Sequence, residues 1–239
     1  MGIIQELKEN SVILFYGDSI TDGNRGRSMD GNHILGHGYA YILSARIGLE
    51  NYEKQFKFIN KGISGNVISQ LYERLQNDVI DHKPDVISIL VGTNDVGHAL
   101  MDRTGSPVER YIDTYRKMIH EIKEKLPDAK IVICEPFYLV IDNYEAPYQN
   151  TPYCICEEYV KPGNIPKDDE AINFRRTEMD KMQKALKQFV EAEGLVYVPL
   201  QEEFERYAAK IPGEYLVWDS IHPTAVGHEL IASKWLSVV

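Results

Sequence analysis

Two short stretches carry the residue types that acyl transfer uses. FYGDSITDG (15–23) places Ser19 next to Asp18, directly after an apolar run, and WDSIHP (218–223) places Asp219 three residues before His222. A serine hydroxyl is inert at neutral pH until a neighbouring base takes its proton. An imidazole is that base when a carboxylate on Nδ1 fixes its tautomer and leaves Nε2 free to accept. At a spacing of three, Asp219 can reach Nδ1 of His222, and Pro223 suits the first position of a helix, which stiffens the loop. A tetrahedral intermediate also needs N–H donors for its oxyanion. NKGISGN (60–66) and VGTNDVG (91–97) supply two candidates. Gly65 lets its backbone approach a ligand with no Cβ in the way, and Asn94 offers an uncharged amide. The backbone N–H of Ser19 is the third.

Taken singly, each residue has a plainer reading. Ser19 is a good helix cap, Asp219 could cap the last helix while His222 merely packs, and Gly65 and Asn94 are common in turns. It is the set that points to chemistry, provided the fold brings the stretches together. Asp18 and Trp218 flank the reactive candidates and are the expected substrate contacts. Asp18 also suits a brace for its loop, and Trp218 could line an acyl pocket, stack on a sugar or pack in the core. His33 and His37 are four apart in a glycine-rich stretch without a nearby third ligand, so no metal is expected, nor any organic cofactor.

The elements that must position these residues follow from hydrophobic period. Apolar runs at 12–16, 56–60, 85–91, 130–136 and 195–200 read as five strands. Between and after them, helical patterns occupy 38–48, 67–81, 107–126, 170–193, 201–209 and 223 to the end, with Gly194 placed as a helix C-cap. Strands apolar on both faces and separated by helices imply a parallel sheet covered on each side, a three-layer α/β/α domain with function at the strands' carboxyl ends. All four polar stretches fall at that edge. Residues 137–169, rich in Tyr, Pro and acid, are too long for an ordinary connection and read as an inserted flap or contact surface in an otherwise single domain, 1–239. Such a surface could serve a homo-oligomer.

Composition bounds the partners. The 239 residues include 26 basic and 36 acidic side chains, a formal charge of −10. That balance argues against nucleic acid or an anionic membrane. No stretch is apolar enough to span a bilayer and the N-terminus lacks a secretory pattern, so a cytoplasmic location is expected. Three cysteines, Cys134, Cys154 and Cys156, are too few and too odd for a disulfide framework and read as free thiols.

GDSIT, GISGN, GTND and DSIHP, in that order, resemble the SGNH or GDSL-type hydrolases, and the blocks span almost the whole chain. The resemblance implies a flavodoxin-like sheet, a catalytic triad of Ser19, His222 and Asp219, and an oxyanion hole from Ser19, Gly65 and Asn94. The absence of G-x-S-x-G sets aside the α/β-hydrolase elbow. NKGISGN, KPDVISILVGTND and WDSIHPTAVGHELIASKW look like the branch that contains bacterial acetylxylan esterases and related carbohydrate acetylesterases. That implies removal of acetyl groups from a small acetylated carbohydrate, without a cofactor. The 137–169 segment is longer than that branch suggests. A lipase or thioesterase of the same family, or a carbohydrate-binding protein without turnover, would be the alternatives.

Overall fold

The computed structural model describes residues 2–28, 31–141 and 169–239. Its strands are β1 (Val12–Gly17), β2 (Lys57–Gly62), β3 (Val86–Leu90), β4 (Lys130–Cys134) and β5 (Val196–Val198). They form one sheet in the order β2-β1-β3-β4-β5, every pair parallel. The described helices are α1 (Ile3–Glu6), α2 (Ser19–Asp22), α3 (Tyr39–Glu50), α4 (Ile68–Glu73), α5 (Leu75–Asp78), α6 (Thr93–Asp102), α7 (Val108–Lys125), α8 (Asp169–Ala192), α9 (Gln201–Ala208) and α10 (Ala225–Val238).

Alternation along each strand divides the core into two. Ile13 and Phe15 face a cluster with Leu43 of α3 and Ile231 and Trp235 of α10. Leu14 and Tyr16 face Leu71 of α4, Tyr115 and Met118 of α7 and Met182 of α8. Both faces are covered, which is why the strands read as unbroken apolar runs rather than as alternating ones. This is the expected three-layer α/β/α architecture. The chain leaves β1 first towards β2 and later returns beside it as β3. The carboxyl end of β1 is therefore the topological switch point, where such sheets open a crevice.

Some elements differ from the sequence reading. The helix expected over 67–81 is broken into α4, α5 and a 3-10 turn at Ile80–His82, with the break at Arg74. The guanidinium of Arg74 is drawn inward to Gly17 O at 3.0 Å and Lys61 O at 2.8 Å. Helix α6 falls where the sequence predicts only the polar stretch 91–97 and no regular element before 107. A Cβ at Gly97 would stand 3.3 Å from Arg175 Nη1. Strand β5 stops at Val198, before Pro199, which has no N–H to donate to a ladder. Phe137, Tyr138, Leu139 and Ile141, the start of the proposed insertion, are buried, Phe137, Leu139 and Ile141 in the first cluster and Tyr138 in the second. The rest of that segment, 142–168, lies outside the described residues.

Candidate active site

Strand β1 ends where only glycine fits. A Cβ at Gly17 would lie 2.2 Å from Leu90 O and 2.3 Å from Thr21 Oγ1, so the chain can turn there only without a side chain. Asp18 then caps α2, accepting from Ile20 N at 3.0 Å. Ser19 is the first residue of that single helical turn, half-buried at the sheet edge.

The loop before α10 is fixed by its own hydrogen bonds. Trp218 N donates to His222 O at 3.0 Å, and Val217 bridges Pro223. Asp219 Oδ1 accepts from Ile221 N at 3.1 Å and from His222 N at 2.7 Å. Ser220 takes φ +70°, a left-handed conformation that closes this tight turn. Thr224 then caps α10, its hydroxyl accepting from Gly227 N at 3.2 Å.

These two loops bring 203 residues of separation down to one hydrogen bond: Ser19 Oγ stands 2.8 Å from His222 Nε2. On the other edge of the ring, Nδ1 is 2.6 Å from Asp219 Oδ2. A carboxylate can only accept, so Nδ1 carries the proton and Nε2 is free to accept from Ser19. Burial alone would pull the ring's pKa down. The hydrogen bond and charge of Asp219, with Asp18 behind, outweigh it and hold His222 above the ordinary histidine value. Trp218 stacks on the ring, centroids 5.1 Å apart and planes at 18°.

Ser19, Gly65, Asn94, Trp218 and His222 all line one cavity of about 430 Å³. Among the described residues, neither the Ser19 nor the Gly65 N–H has a protein acceptor. Gly65 sits at φ +81°, and a Cβ there would meet nothing within 4 Å, as expected of a residue facing open space. Asn94 Nδ2 donates one hydrogen to Asn66 O at 3.0 Å, which orients the amide and leaves its second hydrogen unspent. Asn66 is itself held by Arg74 Nε at 2.9 Å.

Two residues that the sequence reading missed hold this edge together. Asp22 accepts from Ser64 N at 3.0 Å, next to Gly65, and from Arg25 N at 3.0 Å, and pairs with Arg27. Burial works to raise its pKa, but the Arg27 hydrogen bond and the two N–H groups prevail and hold it below the usual carboxylate range. Arg74 ties β1, β2 and Asn66 to Asp78. The contacts that tie each of them to the site, Ser64 for Asp22 and Gly17 for Arg74, lie 42 and 57 residues away, so local spacing does not announce the role.

Asp18 is not placed as a substrate contact. The residue is 1% exposed, does not line the cavity, and uses Oδ1 for the cap. Burial pushes it up to about 6. Trp218 does line the cavity, and so does His37, while Cys134 is a buried free thiol pushed up to about 12 by that burial. Cys154 and Cys156 lie outside the described residues. Among the described residues no cluster of His, Cys, Asp and Glu could hold a metal, and no helix is long and apolar enough to cross a membrane. A larger hollow of about 600 Å³ beside Ala99, Arg103 and Phe174 contains no nucleophile–base pair.

Residues 15–230 match the model of the GDSL-like Lipase/Acylhydrolase family. An acetylxylan esterase of Geobacillus stearothermophilus is 29% identical over 230 residues, 94% of this chain and 91% of that protein. A crystal structure of a catalytic mutant of that esterase superposes with a TM-score of 0.76 at 28% identity, covering 97% of this chain and 95% of the other. Its catalytic mutants replace a serine, an aspartate and a histidine, the last two spaced by three residues. A GDSL-like lipase candidate from Parabacteroides merdae reaches a TM-score of 0.81 at 31% identity, covering 97% and 96% of the two chains.

Proposed function

The chain belongs to the GDSL-like lipase/acylhydrolase family, and from that premise we propose that it is a serine esterase removing acetyl groups from small acetylated carbohydrates. The observation that carries the reading is the continuous relay Ser19 Oγ–His222 Nε2–His222 Nδ1–Asp219, at 2.8 and 2.6 Å, beside three N–H donors. The likeness to acetylxylan esterase over nearly the full length of both chains supports the substrate class. Trp218 lines the cavity, and an aromatic side chain there suits a sugar substrate.

In this mechanism Ser19 Oγ attacks the acetyl carbonyl as its proton passes to His222 Nε2. Asp219 stabilises the imidazolium through Nδ1 and does not itself take the proton. The negative charge that develops on the carbonyl oxygen falls to the N–H groups of Ser19 and Gly65 and the free amide hydrogen of Asn94. The sugar oxygen leaves with the proton from His222, and an acetyl-enzyme remains. Water then gives its proton to His222, attacks the acetyl carbon, and acetate departs as Ser19 regains a proton. No step calls for a metal or an organic cofactor. A cytoplasmic setting and soluble oligosaccharides rather than intact polymer complete the proposal.

Acetate release from acetylated xylo-oligosaccharides, with Ser19→Ala in parallel, tests it. Release that disappears in the variant is the expected result. Ser19-dependent cleavage of a simple aryl acetate without release from the sugar would keep the mechanism and discard the substrate. A rate that climbs with acyl-chain length would favour a lipase or thioesterase instead.

A further inference from the structure

On the reading that the substrate is a sugar ester, we propose that His228 is a carbohydrate contact that presents a fixed Nε2–H donor to a sugar oxygen in the active cavity. His228 stands on the first turns of α10 and lines the same cavity as Ser19 and Trp218, yet only 7% of its surface is exposed. One edge of the ring is committed. Nδ1 accepts from Tyr39 N at 3.2 Å, serving as the cap that Gly38 cannot give α3. The same edge is pressed on Gly38, where a Cβ would fall 3.0 Å from Cε1 and 3.2 Å from Nδ1. An Nδ1 that accepts carries no hydrogen, so the ring's proton is on Nε2. Among the described residues Nε2 has no hydrogen-bond partner.

The protonation state is stable. Burial, with His37 and His222 nearby, pushes His228 down to about 3, so the ring is neutral wherever His222 can work as a base. Capping α3 explains one nitrogen only. The second is a donor that the otherwise buried ring presents to the cavity, since Nε2 is not among the sealed side-chain atoms without a partner, and it is open to an oxygen of a bound ligand. An acetyl ester offers few acceptors for it. The carbonyl oxygen goes to Ser19, Gly65 and Asn94, and the methyl group has none. What remains is the hydroxyl, ring or glycosidic oxygens of the alcohol portion. The donor therefore selects for carbohydrate and contributes little to an aryl or long-chain acyl ester.

The test compares wild type, His228→Asn and His228→Gln on an acetylated xylo-oligosaccharide and on 4-nitrophenyl acetate. Asparagine can keep an acceptor near Nδ1 for Tyr39 N and loses the distal donor. Glutamine can keep a distal donor and loses the cap. We expect His228→Asn to raise KM for the sugar ester about tenfold relative to its effect on the aryl ester, the scale of one neutral hydrogen bond. His228→Gln should retain more sugar affinity and melt at a lower temperature. A sugar KM equal to wild type in His228→Asn, or a matching fall in kcat on both substrates, would overturn the proposal, the latter marking a displaced nucleophile loop. Failure of the functional reading is distinct: wild type itself would then release no acetate from the sugar, and the assignment of His228 would fall with it.

Discussion

A serine 2.8 Å from an imidazole is only as reactive as the carboxylate behind that imidazole makes it. Asp219 does two things for His222: it fixes the proton on Nδ1 and it raises the ring's pKa against the pull of burial. Asp219→Asn should therefore cut kcat by about 10⁴-fold, because an amide can hold the ring in the wrong tautomer. The base must be neutral to act, so in wild type kcat/KM should rise with pH through a limb above the ordinary histidine value of about 6.5. In the variant that limb should move to lower pH. A pH–rate profile on an aryl acetate reads both, and a limb that stays put would break the link between the two residues. Asn94→Ala should lower kcat by roughly 10²–10³ with a small change in KM, since its free hydrogen meets charge only as the intermediate forms. Steady-state kinetics on the same ester separates the two, and a loss carried by KM would mean that Asn94 binds substrate instead. At this scale the sequence is eloquent where partners are close in the chain. Asp219 and His222, and the glycine of GISGN, announce themselves by type and spacing. Asp22, Arg74 and His228 do not, because Ser64, Gly17 and Tyr39 are 42, 57 and 189 residues away from them.

The elements behind the site include carboxylates buried for positioning. Asp95 is 6% exposed, and both of its oxygens face Ile68 N, at 3.3 and 3.2 Å, at the start of α4. Burial is the main reason that its pKa is pushed up to about 7, against backbone hydrogen bonds that lower it. A carboxyl group with a folded pKa above its unfolded value binds more protons in the native state. Its contribution is present below about pH 4 and is lost as pH rises towards 7. Asp95→Asn keeps an acceptor for Ile68 N and removes that loss. The variant should gain on wild type by about 1–2 kcal/mol between pH 5 and pH 8, roughly 3–6 °C in Tm. Thermal melts at the two pH values check it, and a difference independent of pH would show that burial of the charge is not the cost. The same helices show where periodicity fails as a guide. Apolar spacing over 67–81 predicts one helix, but it cannot register that Arg74 is pulled inward by carbonyls of β1 and β2. Helix α6 carries Gly97, where a Cβ would stand 3.3 Å from Arg175 Nη1, and a glycine kept for that long-range approach weakens the local helical pattern.

Across the whole molecule, the last helix is tied to the middle of the sheet. Trp235 is fully buried, and its Nε1 donates to Ser88 Oγ in β3 at 3.0 Å. Trp235→Phe leaves that buried hydroxyl with a weaker set of partners and should cost about 1–3 kcal/mol, measured by denaturant unfolding. An unchanged midpoint would mean that Ser88 is satisfied without it. Because α10 follows directly on the His222 loop, the same bond also helps to fix the base opposite β1. The layer order was legible because each strand is apolar on both faces, whereas the exact ends of β4 and β5 lie just before Pro136 and Pro199. The remaining property at this scale is the formal charge of −10. A neutral sugar ester feels no net force from it, while an anionic ester is repelled until salt screens the field, over a Debye length of about 10 Å at 0.1 M. For acetylated xylo-oligosaccharides, kcat/KM should therefore stay flat within about twofold from 0.01 to 0.5 M salt. For an acetylated oligosaccharide that bears a carboxylate, it should rise over the same range. If the neutral ester shows the salt dependence, charge is acting on the site itself rather than on encounter. If the acidic ester is insensitive, the acidic surface lies away from the cavity mouth. Either result would locate the net charge relative to Ser19.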